Sequence, residues 1–174
     1  PPRSTLFPYT TLFRSSYLQK KQSQHIGERL QLIEVKDGDS LDIIGHKTTF
    51  FDIGSTKAKQ FGFSLDMGNG EKLTCCGDEP FNEREQIYAQ NSKWLLHEAF
   101  CLYSERDIYK PYEKHHSTVK EACELAERLQ VRNLLLYHTE DKNIENRKQL
   151  YAEEGQPYYH GNLYIPDDLE TIEL

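Results

Sequence analysis

The sequence predicts an α/β (α+β) fold in which helices cover one face of a mixed β-sheet. Two pairs of short apolar segments with glycine-containing turns come first, at 41–53 and 61–76, and indicate two β-hairpins. After residue 80, helical patterns alternate with short apolar runs, which indicates strands connected through helices. Hairpins followed by this alternation predict a single mixed sheet.

The hairpin segments carry clear turn signals. The stretch LDIIGHKTTFFDI predicts two strands around a Gly45-His46 turn. In the next hairpin, the tight turn GNG separates a strand at Phe61–Asp66 from a second strand at Lys72–Cys76. A short helix is expected near Glu83–Gln90, before the apolar strand within KWLLHEAF.

The best-defined element is a helix within HHSTVKEACELAERLQ. Thr118 and Glu121 have the spacing of a capping box at its start. One face of the helix is apolar and comprises Val119, Ala122, Cys123, Ala126 and Leu129. The strand NLLLY follows, a second helix near Asn143–Glu154 is expected to stop at Gly155, and NLYIPDDLETIEL is expected to supply closing strands.

Composition limits the function. The chain has 174 residues, 37% hydrophobic and 28% charged, so a folded domain with a sizeable core is expected. A net charge of −7 argues against a broad phosphate-binding surface, although a bound cation can still create a local phosphate site.

No apolar run approaches the ~20 residues of a membrane span, and no signal-peptide pattern is visible, which predicts a cytoplasmic protein without membrane contact. The four cysteines lack CxxC spacing and indicate buried thiols.

The first sixteen residues, PPRSTLFPYTTLFRSS, differ in composition from the Glu- and Lys-rich remainder. They have no helical or strand period and resemble a translated sequencing adapter, although a natural disordered leader is the alternative. Residues 1–16 are therefore predicted to be a foreign or disordered leader, and residues 17–174 a partial domain.

Polar groups follow several of the predicted strands. Strand ends at one edge of a sheet converge in space, and Asp, Glu and His are the groups that bind zinc or transfer protons. The groups that could meet in this way are Asp78, the pair His97 and Glu98, His138, and the pair His115 and His116 at the start of the capped helix. Each alone has an ordinary structural explanation, but together they favour a site.

From about Leu41 to Leu174, the chain resembles the C-terminal half of a metallo-β-lactamase-fold hydrolase of the ribonuclease Z-like kind, whose fold is an αββα sandwich. Four motifs appear in the family's order: Gly77-Asp78, His97-Glu98-Ala99, His116-Ser117-Thr118 and His138. A helix between the last two motifs also matches.

The resemblance implies a site with two zinc ions bridged by a hydroxide. Asp78 and His138 would be metal ligands, with Asp78 bridging the ions. Glu98 and His116 would form a carboxylate–histidine pair that stabilises or protonates the leaving oxygen. His97 is expected to be structural and His115 exposed. The implied function is hydrolysis of a phosphodiester, RNA or a related small ester, and the complete protein could be a homodimer.

Two departures from the family pattern concern the metal. The chain contains no HxHxDH motif, which supplies most of the family's ligands and is expected upstream. Gly54 stands where a further ligand histidine is expected. Zinc binding by this chain alone is therefore expected to be weak or absent, and the chain alone inactive. A non-catalytic, degenerate domain with only a binding role is the alternative, and within the fold a thioester, lactone or small phosphodiester remains open as substrate.

Overall fold

The computed structural model describes residues 33–174, and Lys36–Leu174 form one packed unit. The predicted leader, residues 1–16, and the first part of the predicted domain, residues 17–32, lie outside the described residues. Among the described residues, no helix combines the length and the apolar character that crossing a membrane would require.

The first four strands form an antiparallel meander. They are β1 (Ser40–Ile43), β2 (His46–Asp52), β3 (Phe61–Gly68) and β4 (Glu71–Cys75). The two hairpins are as predicted, but the first turn is at Ile44 and Gly45, one residue earlier than expected, and His46 begins β2. Both turn residues have positive φ, the geometry that suits the twist of a two-residue hairpin.

The remaining strands are parallel to β4 and to one another. They are β5 (Trp94–Glu98), β6 (Asn133–Tyr137) and β7 (Asn162–Tyr164), so the seven strands follow chain order across one mixed sheet. The predicted closing strands therefore reduce to the short β7. Residues 165–174 form no strand.

Helices form the connections of the parallel half. They are α1 (Gln86–Ala89), preceded by a 3₁₀ turn at Glu83–Glu85, α2 (Arg106–Tyr109), α3 (Val119–Arg128) and α4 (Arg147–Gly155). The predicted capping box of α3 is present, with Thr118 and Glu121 satisfying each other's backbone donors. Helix α4 begins at Arg147, several residues later than predicted.

Gly155 is the last residue of α4, as predicted, but it does not have the left-handed conformation that is common where helices end. Its φ is −79°, an ordinary helical value. A Cβ at this position would lie 2.6 Å from Cys123 Sγ on α3. Glycine is therefore needed for the close approach of the two helices and not for a backbone turn.

The core lies between the sheet and the helices. Leu95, Leu134 and Leu136 project from β5 and β6 toward the buried face of α3, where Ala122 and Ala126 pack. Side chains alternate between the two faces of a strand, so His97 shares the helical face with Leu95. The opposite face carries Trp94, whose ring contacts that of Tyr164. The expected mixed sheet with helices on one face is thus confirmed.

Candidate active site

Three polar groups end neighbouring parallel strands at one edge of the sheet. Asp78 follows β4, Glu98 is the last residue of β5, and His138 follows β6. Parallel strands present their carboxyl ends together, so the fold brings these groups to a common edge, as the sequence suggested. Gly77 has a φ of 77°, which turns the chain immediately before Asp78.

Glu98 is the most buried acid of this edge, with no exposed surface. Its Oε1 accepts hydrogen bonds from the backbone N–H of Ser117 at 2.5 Å and from the Ser117 hydroxyl at 2.6 Å. Its Oε2 lies 3.5 Å from Nδ1 of His116. Burial alone would raise the pKa of the Glu98 carboxyl, but the contacts with His116 and Ser117 together hold it below its usual value. Glu98 is therefore an ionised carboxylate.

His116 links this carboxylate to the rest of the site. Its ring stacks on Phe100 with a centroid distance of 5.0 Å, and its centroid lies 4.7 Å from that of His138. The side chain is nearly buried, so its contacts fix the direction of the imidazole. The two histidines predicted from separate motifs are thus neighbours.

His138 sits at the solvent-facing side of the cluster. Its φ is 56°, a left-handed conformation that directs the chain away from β6. Partial desolvation of the ring, followed by the positive field of His116, lowers the pKa of His138, whereas the nearby Asp78 acts in the opposite direction. The neutral imidazole, which is the form that ligates a metal, is therefore favoured.

Two lysines stand at the rim of the cluster. The Lys57 ammonium donates a hydrogen bond to the backbone carbonyl of Lys114 at 2.7 Å, and its charge also contributes to the lowered pKa of His138. The Lys114 ammonium lies 4.7 Å from the centroid of Phe100, the ring that supports His116. The rim thus carries two lysine ammonium groups in a chain with a net charge of −7.

Gly54 lies in the segment that carries Lys57. Its φ is 70°, and a Cβ there would lie 3.5 Å from Arg84 Nη1 and 3.7 Å from Asn82 Nδ2, an ordinary contact distance. The backbone conformation disfavours most side chains, although histidine adopts it more readily than most residues. The Ser55 hydroxyl donates to Glu79 Oε1 at 2.7 Å and fastens this segment to the loop of Asp78.

The other candidate histidines are placed as expected. His97 is buried and its Nδ1 lies 2.6 Å from the carbonyl oxygen of Glu98. His115 is exposed with a φ of 59°. His46 and His160 contact backbone or an exposed carboxylate away from the cluster.

Sequence reasoning missed four residues of the site. Ser117, which holds Glu98, was visible in the HST motif, but its donor role was not inferred. Phe100, Lys57 and Lys114 gave no sequence signal, because their contacts join different elements of the fold.

The described residues do not complete a metal centre. Within residues 33–174, no group of three or more His, Cys, Asp and Glu side chains is arranged to hold a metal ion. Asp78 and His138 are suitable ligand types at the same sheet edge, but two protein ligands fall short of a tetrahedral zinc site. The side chains described here therefore do not by themselves fit a two-zinc centre.

Comparison with solved structures identifies the architecture. The metallo-β-lactamase-fold protein YhfI from Bacillus subtilis superposes with a TM-score of 0.68 at 15% identity, covering 87% of this chain and 58% of that one. Zn²⁺-bound PqqB from Methylobacterium extorquens gives a TM-score of 0.62 at 10% identity, covering 80% and 55%. The protein therefore has the metallo-β-lactamase fold.

Sequence comparison narrows the class. Ribonuclease Z of Exiguobacterium sibiricum is 30% identical over 160 residues, covering 92% of this chain and 51% of that protein. Ribonuclease Z of Thermococcus sibiricus is 30% identical over 105 residues, covering 60% and 32%. No family model matches. Within the metallo-β-lactamase fold, the sequence of this chain is similar to that of ribonuclease Z, the resemblance that its motifs indicated, and the chain spans at most about half the length of these two relatives.

Proposed function

We propose that this chain carries the proton-donating part of a zinc-dependent phosphodiester hydrolase. The observation that supports the proposal is the buried Glu98 carboxylate, held by Ser117 and placed 3.5 Å from His116, which in turn neighbours His138. A buried, ionised carboxylate favours the protonated form of an adjacent imidazole. Such an imidazolium can donate its proton to a leaving oxygen.

In the proposed step, each residue has a defined task. Ser117 holds Glu98 through two hydrogen bonds, and Glu98 keeps the proton on Nδ1 of His116. His116 then donates a proton to the oxygen that leaves phosphorus, most simply from Nε2, the nitrogen that does not face Glu98. Phe100 supports the imidazole ring from one side. The arrangement is preorganised, so it costs little reorganisation during the reaction.

A phosphodiester suits the rim better than a neutral ester does. Lys57 and Lys114 place two cations beside the cluster, and an anionic substrate would be attracted there. RNA fits this chemistry, and the names of the relatives support it. A thioester or lactone would gain less from the two lysines.

Zinc is proposed as the cofactor of the complete site, and Asp78 and His138 as this chain's share of the ligands. The ions would supply an activated hydroxide and neutralise charge on the phosphoryl oxygens. Asp and His are zinc-ligand types, and one structural relative is Zn²⁺-bound. Because the described residues offer too few ligands, the chain alone is proposed to bind zinc weakly and to lack turnover.

A non-catalytic binding domain is the second candidate. It is favoured by Gly54, which offers no ligand, and by the incomplete metal site within residues 33–174. The rigid Glu98–His116 pair would then be a structural contact only. The two candidates differ in whether His116 donates a proton to a leaving oxygen and in whether zinc takes part in a reaction.

The test begins with the imidazole nitrogens of His116, observed by ¹⁵N NMR at a fixed pH of 6.5. Glu98→Gln should change the ¹⁵N shift of His116 Nδ1, because the carboxylate oxygen that lies 3.5 Å from it is replaced by a neutral amide. The control is Glu127→Gln, which removes the exposed carboxylate 3.1 Å from His160 and should leave His116 unchanged. An unaltered His116 in Glu98→Gln would contradict the proposed proton donor.

Activity is tested by mixing the chain with the N-terminal half of the Exiguobacterium relative, in the presence of zinc, and following bis(4-nitrophenyl) phosphate hydrolysis. Turnover that appears only in the mixture and falls at least a hundredfold with His116→Asn would support the enzyme. Turnover by the isolated chain with two tightly bound zinc ions would contradict the proposed ligand shortage.

A further inference from the structure

A cavity of about 300 Å³ lies on the helical side of β5, directly beside His116. Its volume is at the small end of the range for ligand pockets and suits one ring system with a substituent. Its wall is formed by parts of the 80–81 loop, β5, the 112–117 turn and α3. Apart from His116 and Ser117, the residues of its wall have no task in the proposed proton step.

The cavity follows the axis of α3. Glu121, Leu125 and Arg128 line it, and their spacing of four and three residues places them on one face of the helix. His116 and Ser117 lie just before the helix begins, and Arg128 ends it. With a rise of about 1.5 Å per residue, the two ends are separated by roughly 15–18 Å along the axis, measured at the backbone. An occupant would therefore meet His116 at one end and Arg128 at the other.

The middle of the cavity is largely apolar. Phe81, Pro80 and Leu125 form its walls, and the Tyr112 ring adds a further flat surface. The polar groups here already have partners, since the Tyr112 hydroxyl donates to Glu121 Oε1 at 2.9 Å and Glu121 Oε2 accepts from Thr118. A flat ring fits these walls without leaving either polar group unsatisfied.

His97 belongs to the wall and has one unpartnered ring nitrogen. The side chain is 1% exposed, and its Nδ1 must donate to the Glu98 carbonyl, because a carbonyl oxygen only accepts. Burial also lowers the pKa of His97, so the ring is neutral and Nε2 carries a lone pair. Within the described residues, Nε2 has no hydrogen-bond partner. A buried acceptor of this kind is costly unless a donor reaches it.

We infer that this cavity binds the leaving group of the substrate, and that this group is a single aryl or heterocyclic ring with an acceptor or anionic substituent at its far end. The inference rests on the proposed function, because it takes the leaving oxygen to lie at His116. The ring lies between Phe81 and Leu125, and its far substituent accepts from the Arg128 guanidinium. The site thereby selects one ring-sized group next to the scissile bond, whether that bond belongs to a small diester or to the end of an RNA.

The test measures binding of a leaving-group mimic and requires neither metal nor turnover. The 174-residue chain is titrated with 4-hydroxybenzoate, whose phenol oxygen mimics the leaving oxygen and whose carboxylate faces Arg128. Amide shifts are followed by ¹⁵N–¹H NMR. Saturable shifts at Ser117, Phe81 and Leu125 are expected, with phenol binding at least about tenfold more weakly because it lacks the anion.

Arg128→Gln should weaken 4-hydroxybenzoate about tenfold, the loss expected for one charge-assisted hydrogen bond, and should leave phenol binding unchanged. The matched control is Arg132→Gln, which removes an exposed arginine paired with Glu71 outside the cavity and should change neither ligand. Both arginines are exposed, so the amide spectra of the variants should show an intact fold.

The inference would be overturned if phenol and 4-hydroxybenzoate bound with equal affinity, or if the amide shifts were confined to residues outside the cavity. It would also be overturned if Arg128→Gln did not weaken the binding of 4-hydroxybenzoate. This binding measurement does not depend on whether His116 acts as the proton donor. If the cavity binds 4-hydroxybenzoate but the His116 signals do not change in Glu98→Gln, the binding site stands and the proposed Glu98–His116 proton donor is refuted. If the His116 signals change in Glu98→Gln but 4-hydroxybenzoate does not bind, only the leaving-group site is refuted.

Discussion

Ser117→Ala isolates the hydrogen bond that holds the Glu98 carboxylate. The substitution removes the hydroxyl that donates to Oε1 at 2.6 Å and keeps the backbone N–H that donates to the same oxygen. Ser117 is 8% exposed and Glu98 is fully buried, so water cannot readily replace the lost donor. A hydrogen bond to a buried charge contributes about 1.5–3 kcal/mol, so the free energy of unfolding at pH 7 should fall by about 2 kcal/mol.

The loss should depend on pH. The pKa of Glu98 in the folded protein is below its ordinary value of 4.5, so its ionised form stabilises the fold above that value. This stabilisation disappears as the pH falls through the folded pKa. The difference between wild type and Ser117→Ala should therefore be largest near neutral pH and shrink on acidification below about 4.5.

Urea unfolding at several pH values, followed by the fluorescence of Trp94, measures this difference. Trp94 is the only tryptophan and is 3% exposed, so its emission should report the loss of packing. Ser92→Ala is the control, because the Ser92 hydroxyl is also buried but bonds to Thr74 and a backbone carbonyl, with no charge involved. It should cost about 1 kcal/mol without the acid dependence.

A double-mutant cycle completes the assay. In a Glu98→Gln background, Ser117→Ala should cost clearly less, because the acceptor no longer carries a full charge. A loss below about 0.5 kcal/mol at neutral pH, or equal losses in the two backgrounds, would show that Ser117 does not hold an ionised Glu98.

Three further predictions concern metal and packing. Asp78→Asn and His138→Gln should each lower residual zinc uptake, measured by atomic absorption after dialysis, and equal uptake would remove them as ligands. Gly54→His should raise zinc uptake when the N-terminal half of a relative is supplied, and no change would place the missing ligand elsewhere. Gly155→Ala should reduce the free energy of unfolding by about 1–3 kcal/mol, because its methyl group would meet Cys123 Sγ at 2.6 Å, and a neutral result in urea unfolding would contradict the close helix approach.

Much of the fold was predictable because its signals are local. The capping box of Thr118 and Glu121 and the apolar face of α3 depend on spacings within one turn or a few turns of helix. The turn at Ile44 was harder to predict, since a β-branched residue is unfavourable at positive φ and the strand pairing overrides that preference. Gly155 shows the same limitation. Its role depends on a neighbouring helix and not on its own sequence context.

The site also has a part that the sequence predicted and a part that depends on contacts between distant segments. The family resemblance implied that Glu98 and His116 would form a pair, and β5 and the start of α3 bring them within 3.5 Å of each other. The Ser117 contact with Glu98 spans nineteen residues and depends on how α3 docks on the sheet. The lysine rim depends on a contact across fifty-seven residues, so no local pattern could reveal it.

The two halves of the proposed chemistry are stabilised differently. Glu98 is fully buried and tied to the start of α3, so the proton-donating half is part of the core. Asp78 and His138 lie on loops after strand ends, where His138 is exposed and Asp78 half-buried. Loops at a strand edge can change without disturbing the core beneath them. A chain that lacks a ligand at Gly54 can therefore keep the Glu98–His116 geometry intact, because the fold itself requires it. The Glu98–His116 pair can thus be retained in a chain that has lost metal binding. Zinc uptake, and not stability, is therefore the property that distinguishes an enzyme from a binding domain here.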